Sequence, residues 1–199
     1  MQAFKPSDEV DFSRRYTLEE LWALPEREDG AYYELIDGHL YVLPLPDPPH
    51  GSLDSRFTLA LIKFILDNNI DGKVLHPHAA LYRRAECSTY LEPDMMYVSS
   101  ELRERLGSER TSADIVFEYL SKSTANYDRT TKADAYLALD VRELWLVDPV
   151  TVTIEVRHAS THEGSPVWET YEYSTGEYAK SRVLAGWEVS VDEIFKELA

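Results

Sequence analysis

The segment that most constrains the fold lies near the middle of the chain and reads D-I-V-F-E-Y-L-S-K-S-T, from Asp114 to Thr124. β-Branched and aromatic residues at this density predict a β-strand that is buried on both faces. Glu118 stands at the centre of that strand. An ionised carboxylate is costly in an apolar interior without a partner, so the segment predicts a glutamate paired with a cation, a metal ion or a proton.

The elements around this strand predict an α/β (α+β) protein with a mixed β-sheet flanked by helices. A helix is expected from Asp128 to Leu139, and E-L-W-L-V-D-P, from Glu143 to Pro149, predicts another buried strand. The remaining predicted elements are a short capped helix from Thr17, a hairpin over 32–42 turning at Asp37-Gly38, a long amphipathic helix over 53–65, extended stretches at 73–83 and 91–98, a charged helix at 100–106, strands at 151–157, 170–173 and 182–184, and a closing helix at 191–198.

Length and composition are those of a globular protein. Of the 199 residues, 44% are hydrophobic and 28% are charged, and we expect an N-terminal arm at residues 1–16 and one domain over 17–199. No apolar run approaches the roughly 18 residues of a membrane span, and the N-terminus lacks a signal-peptide core. We therefore expect a cytoplasmic protein with no membrane contact.

The charge of the chain restricts its partners. Twenty Lys and Arg against 36 Asp and Glu give a net charge of −16, and a chain so acidic repels nucleic acid on average. This charge counts against a non-specific nucleic-acid binder. It does not exclude an enzyme with a local basic lining, because a bound divalent cation can invert the field at a site.

Three polar residues interrupt segments that are otherwise predicted to be buried. Asp94 follows Pro93, Glu118 comes 24 residues later, and Lys132 comes 14 residues after that. Two carboxylates on neighbouring strands can share a Mg²⁺ ion. A metal ion acidifies a bound water, and a nearby lysine can orient that water or stabilise phosphate charge, so the trio suits phosphodiester hydrolysis.

Each of these residues also has a purely structural interpretation. Asp94 after Pro93 suits a turn at the start of a strand. Asp128, Lys132 and Tyr136 share one helical face, on which an exposed Asp-Lys pair contributes only about 0.2–0.5 kcal/mol. Lys132 taken alone is therefore typical of a surface lysine, and Glu118 could form a buried salt bridge with an arginine.

Several motifs together resemble a known family. They are T-L-E-E-L, Y-Y-E-L-I-D-G-H-L, P-x-P-P-H, L-E-P-D-M-M-Y-V, D-I-V-F-E-Y-L-S-K-S-T, D-x-x-x-K-x-x-x-Y and E-L-W-L-V-D-P. In this order they are similar to a bacterial family described as putative restriction endonucleases, within the PD-(D/E)xK, restriction-endonuclease-like superfamily. The resemblance runs from about Thr17 to Arg157, and it implies a restriction-endonuclease-like core with an N-terminal helix and hairpin.

The resemblance also implies roles for the three polar residues. Asp94 and Glu118 would be metal ligands, joined by the backbone carbonyl of Tyr119, and Lys132 would be the catalytic lysine. The superfamily's E-x-K motif would put the lysine at Leu120. The chain has leucine there and so departs from that motif. Members of this branch of the superfamily that supply the lysine from the following helix depart from it in the same way.

Further candidate site residues follow from the same resemblance. Glu34 resembles an acidic residue that the superfamily often adds from an N-terminal element. His50 matches the histidine that opens the family's long helix, and Tyr136 completes the helical motif. Lys122 replaces the family's usual proline and could substitute for Lys132 or point to solvent.

The other histidines and the single cysteine carry weaker signals. His76 and His78 share one face of a predicted strand, but no third ligand for zinc has an obvious place. His158 and His162 are predicted to lie solvated in a polar loop. Cys87 cannot form an internal disulfide and has no motif partner.

The sequence thus supports one leading hypothesis and two alternatives. The first is a nuclease that uses Mg²⁺ or Mn²⁺ to cleave DNA, with a homodimer plausible because related endonucleases often cut two strands with two subunits. The net charge and Leu120 favour an alternative of another class, a non-catalytic interaction module that retains the fold. The same residues could also serve a metal-dependent hydrolase of another phosphoester.

Overall fold

The structure, a computed structural model, describes residues 10–46, 48–77, 79–85 and 88–197. Residues 1–9 of the predicted arm, His78 and Cys87 lie outside this part. The helices are α1 (Leu18–Trp22), α2 (Pro49–Asp67), α3 (Ser100–Leu106), α4 (Ala125–Tyr127), α5 (Ala133–Ala138) and α6 (Val191–Phe195). The strands are β1 (Tyr32–Ile36), β2 (His39–Leu43), β3 (Gly72–Leu75), β4 (Leu81–Arg83), β5 (Thr89–Leu91), β6 (Met95–Ser99), β7 (Ile115–Tyr119), β8 (Glu143–Asp148), β9 (Thr153–His162), β10 (Ser165–Tyr173), β11 (Tyr178–Lys180) and β12 (Glu188–Ser190).

Six strands form the main sheet, in the order β10-β9-β8-β7-β6-β3. Neighbouring strands are antiparallel except for β7 and β8, which are parallel and are joined through the helical segment that ends in α5. The predicted mixed sheet is therefore confirmed. Every residue of β7 and β8 is buried, as the apolar runs predicted.

The alternation of side chains along β7 determines which helix each residue faces. Phe117 and Tyr119 pack in the cluster that contains the buried face of α2. Leu120 packs in the cluster that contains α5. Because successive side chains of a strand point to opposite faces of the sheet, Glu118 points toward α5.

A smaller sheet in the order β2-β1-β5-β4 carries the N-terminal hairpin. The turn between β1 and β2 consists of Asp37 and Gly38, both with positive φ (48° and 81°), as a type I′ turn requires. Helix α1 begins at the predicted capping box, in which the Thr17 hydroxyl accepts from Glu20 N–H and the Glu20 carboxylate accepts from Thr17 N–H. The N-terminal helix and hairpin are therefore as predicted.

The predicted strand at 182–184 is wrong. These residues form turns, and the strands of this region are β11 and β12, which pair with each other. The backbone N–H groups of Arg182 and Val183 donate to Glu143 Oε2, at 2.8 and 3.1 Å. A buried carboxylate thus replaces the strand partner that those N–H groups would otherwise need.

The loop predicted around His158 and His162 is also wrong, because both residues belong to β9. His158 is only 6% exposed, and its Nδ1 lies 3.1 Å from Glu143 Oε2. The segment around His162 is polar because the last residues of β9 are exposed to solvent. Strand β9 is joined to its antiparallel neighbour β10 by a turn at Glu163 and Gly164. Two extended stretches, 73–83 and 91–98, each divide into strands of the two larger sheets, and the closing helix ends at Phe195.

Candidate active site

Asp94 and Glu118 are neighbours at one end of the main sheet. Strands β6 and β7 are antiparallel, with Met95 opposite Phe117, and this register continued by one residue puts Asp94 opposite Glu118. Asp94 Oδ2 accepts a hydrogen bond of 2.7 Å from the backbone N–H of Tyr119. Strand pairing thus unites two carboxylates that lie 24 residues apart in the sequence.

Lys132 is buried against these carboxylates. Its side chain is 2% exposed, and its Nζ lies 2.9 Å from Glu118 Oε1 and 3.1 Å from Glu34 Oε1. Nζ also donates to the backbone carbonyl of Glu92, at 3.4 Å. The interpretation of Lys132 as a surface lysine is therefore wrong, and the buried partner of Glu118 is this lysine instead of an arginine.

The helix that carries Lys132 differs from the regular helix predicted from Asp128 to Leu139. Helix α4 continues through a π-helical turn over Asp128–Lys132 before α5 begins. Both ends of that turn are buried, Asp128 at 4% and Lys132 at 1% exposure. π-Helical turns are rare in proteins overall, and those that do occur are often found at functional sites. This turn is therefore itself a marker of the site.

Glu34 is the second carboxylate in contact with Lys132. The carboxylate is fully buried on β1, and it accepts hydrogen bonds from the backbone N–H of Glu92 at 2.8 Å and from the hydroxyl of Tyr127 at 3.0 Å. With the 3.1 Å contact to Lys132, Glu34 joins the smaller sheet to the α4–α5 segment.

Tyr136 and His50 complete the contacts of the two site carboxylates. The buried hydroxyl of Tyr136 donates to Glu118 Oε1. His50 stands in the first turn of α2, and its Nε2 lies 4.0 Å from Asp94 Oδ2. His50 Nδ1 is buried and has no hydrogen-bond partner among the described residues.

Not all of the predicted site residues line the same cavity. A cavity of about 30 Å³ is lined by Asp94, Glu118, Lys132, His50 and Tyr119, together with Tyr32, Leu43, Pro44, Leu45, Pro46, Ser121, Thr124 and Asp128. This volume suits one water molecule or one ion. Lys122 is exposed on the turn after β7 and is not among the lining residues.

Among the carboxylates that line the cavity, Asp128 was not predicted as a site residue. The spacing D-x-x-x-K predicted only an exposed ion pair between Asp128 and Lys132. The available signal was the helical face shared with Tyr136, because an apolar residue on that face indicates burial of its neighbours. Tyr127 was missed as well, and its spacing carried no signal.

Burial determines the electrostatics of the cluster. It raises the pKa of the carboxyl groups of Glu34, Asp94, Glu118 and Asp128, because a low dielectric disfavours the ionised form. Burial alone would lower the pKa of Lys132, but Glu118 and Glu34 outweigh it and raise that pKa well above its usual value. Lys132 is therefore protonated, with four carboxyl groups around one ammonium.

The residues fit a divalent cation whose coordination shell also includes backbone or water oxygens. Among the residues that the structure describes, no cluster of three or more His, Cys, Asp or Glu side chains is arranged to hold a metal ion. Asp94 and Glu118 would thus need further ligands, such as the Tyr119 carbonyl and water, and Mg²⁺ usually retains several waters. The four carboxyl groups outnumber the one ammonium in this buried cluster, and a bound cation would favour their ionised form.

A family model and a solved structure are both similar to this chain, and both are described as putative nucleases. A family model described as "Uma2: Putative restriction endonuclease" matches residues 18–192. A solved structure of "a putative nuclease belonging to DUF820" from Anabaena variabilis is similar with a TM-score of 0.70 and 20% sequence identity, covering 92% of this chain and 99% of that chain. This likeness shows the shared fold. No curated protein is significantly similar in sequence.

Proposed function

The chain belongs to the Uma2 family of putative restriction endonucleases, and from this premise we propose that it is a divalent-metal-dependent endonuclease that hydrolyses DNA phosphodiester bonds. The observation that carries the proposal is that Asp94, Glu118 and Lys132 line one cavity of about 30 Å³. We further propose that residues 17–199 form one catalytic domain after an arm at 1–16, and that the protein acts as a homodimer in the cytoplasm. No helix in the described ranges is long and apolar enough to cross a membrane.

Asp94, Glu118 and the backbone carbonyl of Tyr119 would hold Mg²⁺ or Mn²⁺ in this proposal. Such an ion, when bound, lowers the pKa of a coordinated water and offsets negative charge on the phosphate. The hydrogen bond from Tyr119 N–H to Asp94 Oδ2 leaves the other oxygen, Oδ1, available as a ligand. The hydroxyl of Tyr136 donates to Glu118 Oε1 and so helps to fix the orientation of that carboxylate.

Lys132 would act as a fixed positive charge and hydrogen-bond donor. Because Glu118 and Glu34 raise its pKa, the ammonium is not a base at neutral pH. It would therefore orient the attacking water or stabilise charge that develops on the phosphate oxygens. Glu34 and Tyr127 position this ammonium, and His50 faces the same cavity.

One observation favours a second candidate function, a non-catalytic interaction module. Both oxygens of Glu118 already accept contacts, from Lys132 and from Tyr136, so the cluster is held together without a metal ion. Calorimetric titration with Mn²⁺ separates the two candidates. No binding at millimolar Mn²⁺ would favour the module.

Cleavage of supercoiled plasmid and of short duplexes with Mg²⁺ or Mn²⁺ tests the leading proposal. We expect Asp94→Asn and Glu118→Gln each to lower the rate by about 10²-fold or more, the range found when one transition-state contact is lost. Lys122→Gln serves as the matched control, because Lys122 is exposed and outside the cavity. Activity that survives both site substitutions would disprove the proposed site.

A further inference from the structure

A second cleft lies at the opposite end of the central strands. It has a volume of about 840 Å³, and we call it the basic cleft because Arg83, Arg105 and Arg142 line it, with the hydroxyl groups of Thr111, Ser112 and Ser160. Arg142 directly precedes β8, whereas Glu118 stands near the far end of β7. Since β7 and β8 are parallel, the basic cleft and the candidate active site lie at opposite ends of the same two strands.

The charge of this region is opposite to that of the whole chain. Among the described residues, Asp140 is the one acidic residue in the lining of the basic cleft. A neighbouring cavity of about 260 Å³ shares Leu106 and Ser112 with it and adds Lys73, Arg103 and Arg110 against Glu109. Among the described residues, the two linings thus hold six Lys and Arg against two Asp and Glu.

The arginines of the basic cleft retain donors for a ligand. Arg105 is exposed and has no ion pair among the described residues. Arg142 is anchored by Nη1 to the buried carboxylate of Asp114 at 2.8 Å, but its side chain is 59% exposed. Arg83 Nη2 lies 3.6 Å from Asp37. A guanidinium group has five N–H donors, so each of the three has N–H groups free to bind an anion.

Ser112 provides an independent indication of a ligand. Its hydroxyl is buried in the lining and has no hydrogen-bond partner among the described residues. A buried polar atom without a partner is costly, and an oxygen of a bound anion would satisfy it. Arginine and hydroxyl side chains, which line the basic cleft, are among the groups that bind the phosphate oxygens of DNA.

We propose that the basic cleft binds backbone phosphates of the DNA duplex whose scissile bond lies at the candidate active site. This inference rests on the proposed function. The four residues from Asp114 to Glu118 span about 13 Å of strand, which corresponds to about four base-pair steps of DNA. The candidate active site itself carries four carboxyl groups, so a DNA substrate needs a basic contact elsewhere.

The basic surface ends at Arg83. The adjoining cavity shares Arg83 and Ala138 with the basic cleft but is also lined by Asp37 and Asp134, so the basic lining does not continue into it. The basic cleft is therefore a separate anchor for the duplex and not part of a continuous basic groove.

Fluorescence anisotropy with a labelled 30-base-pair duplex in EDTA, over 50–200 mM KCl, tests the inference. Arg105→Ala removes one phosphate contact, so the slope of log K against log salt should become shallower by about 0.9. Arg105→Glu should weaken binding at 50 mM KCl by about tenfold or more. Lys63→Glu is the control, since Lys63 is exposed on α2, which packs on the other face of the sheet. Circular dichroism checks that each variant is folded.

Three results would overturn the inference. They are unchanged duplex affinity in Arg105→Glu, equal loss in Lys63→Glu, and no measurable duplex binding by the wild-type protein. Titration with dAMP tests whether the ligand of the basic cleft is a free nucleotide and not the DNA backbone. If Arg105→Ala abolishes saturable dAMP binding but leaves duplex binding intact, the inference is also overturned. Plasmid cleavage is scored separately. If the protein cleaves DNA but its duplex binding does not depend on Arg105, this inference alone is refuted. If duplex binding depends on Arg105 but no cleavage occurs, the proposed activity alone is refuted.

Discussion

At the scale of single residues, the central feature is one buried ammonium between two buried glutamates. Lys132 contacts Glu118 and Glu34, while Tyr136 and Tyr127 each donate a hydrogen bond to one of those carboxylates. Such a cluster contributes little net stability, because desolvation offsets the attraction between the charges. Removal of one member is costly, because the remaining charges stay buried without a partner.

Lys132→Met should therefore lower the free energy of unfolding by about 3–5 kcal/mol. The double variant Lys132→Met/Glu118→Gln should lose less than the sum of the two single variants, because the second change removes a charge that the first left unpaired. Urea denaturation at neutral pH in EDTA measures both effects. Lys122→Met is the control and should stay within about 0.5 kcal/mol of the wild type. An additive double variant would contradict the buried-cluster interpretation.

At the scale of elements, a buried carboxylate joins the C-terminal segment to the main sheet. Glu143 on β8 accepts hydrogen bonds from Trp145 Nε1 at 2.7 Å and from the backbone N–H groups of Arg182 and Val183, and His158 lies beside it. Burial alone would raise the pKa of Glu143, but the side chains of His158, Trp145 and Ser181 and the backbone N–H of Arg182 outweigh burial and lower it. The turns before β12 therefore depend on an ionised side chain.

Glu143→Gln should lower the free energy of unfolding at pH 7 by about 1.5–3 kcal/mol, as for hydrogen bonds to a charged group. A lowered folded-state pKa gives stability that is present above the unfolded value of 4.5 and is lost as the pH falls through the folded value. The difference between wild type and variant should thus shrink below pH 4.5. Urea denaturation at several pH values measures it, and Glu104→Gln, an exposed residue of α3, is the control. A constant difference down to pH 3 would refute the role of the charge.

The elements also differ in how far the sequence predicted them. The capping box at Thr17, the Asp37-Gly38 turn and the apolar runs of β7 and β8 were correct, because each depends on residues a few positions apart. The strand at 182–184 and the loop at His158 were wrong, because distant parts of the chain decide both: Glu143 binds the backbone N–H groups of the turn at 182–183, and β9 pairs with β8 and β10.

At the scale of the whole molecule, the distribution of charge matters more than its sum of −16. Four buried carboxyl groups surround the candidate active site, and six basic residues line the two cavities near the start of β7 and β8. A divalent cation at one end and a phosphate backbone at the other would each meet the charge it requires. Acidic composition alone therefore does not exclude a DNA substrate.

Binding of Mn²⁺ to the folded state should raise the melting temperature, and the rise should grow with the logarithm of the Mn²⁺ concentration above its Kd. At one hundred times its Kd, a ligand adds about 2.7 kcal/mol, or roughly 5–10 °C for a chain of this size. We expect Asp94→Asn and Asp128→Asn to reduce the shift, since both line the cavity. Differential scanning fluorimetry over 0–10 mM Mn²⁺ measures it. Asp140→Asn, exposed and remote from the cavity, should keep the full shift, and equal shifts in all variants would locate the metal elsewhere.

The sequence by itself determined most of the local elements, the mixed sheet and, through its motifs, the family, because these depend on periodicity, turn chemistry and motif order within short stretches. Only the tertiary structure decided that Lys132 is buried, that Asp128 lines the cavity and that Lys122 does not. It also decided that Arg83, Arg105 and Arg142 meet in one cleft. The physical reason is that burial and charge pairing arise between residues far apart in the chain, where strand pairing and helix packing set the distances that no local pattern encodes.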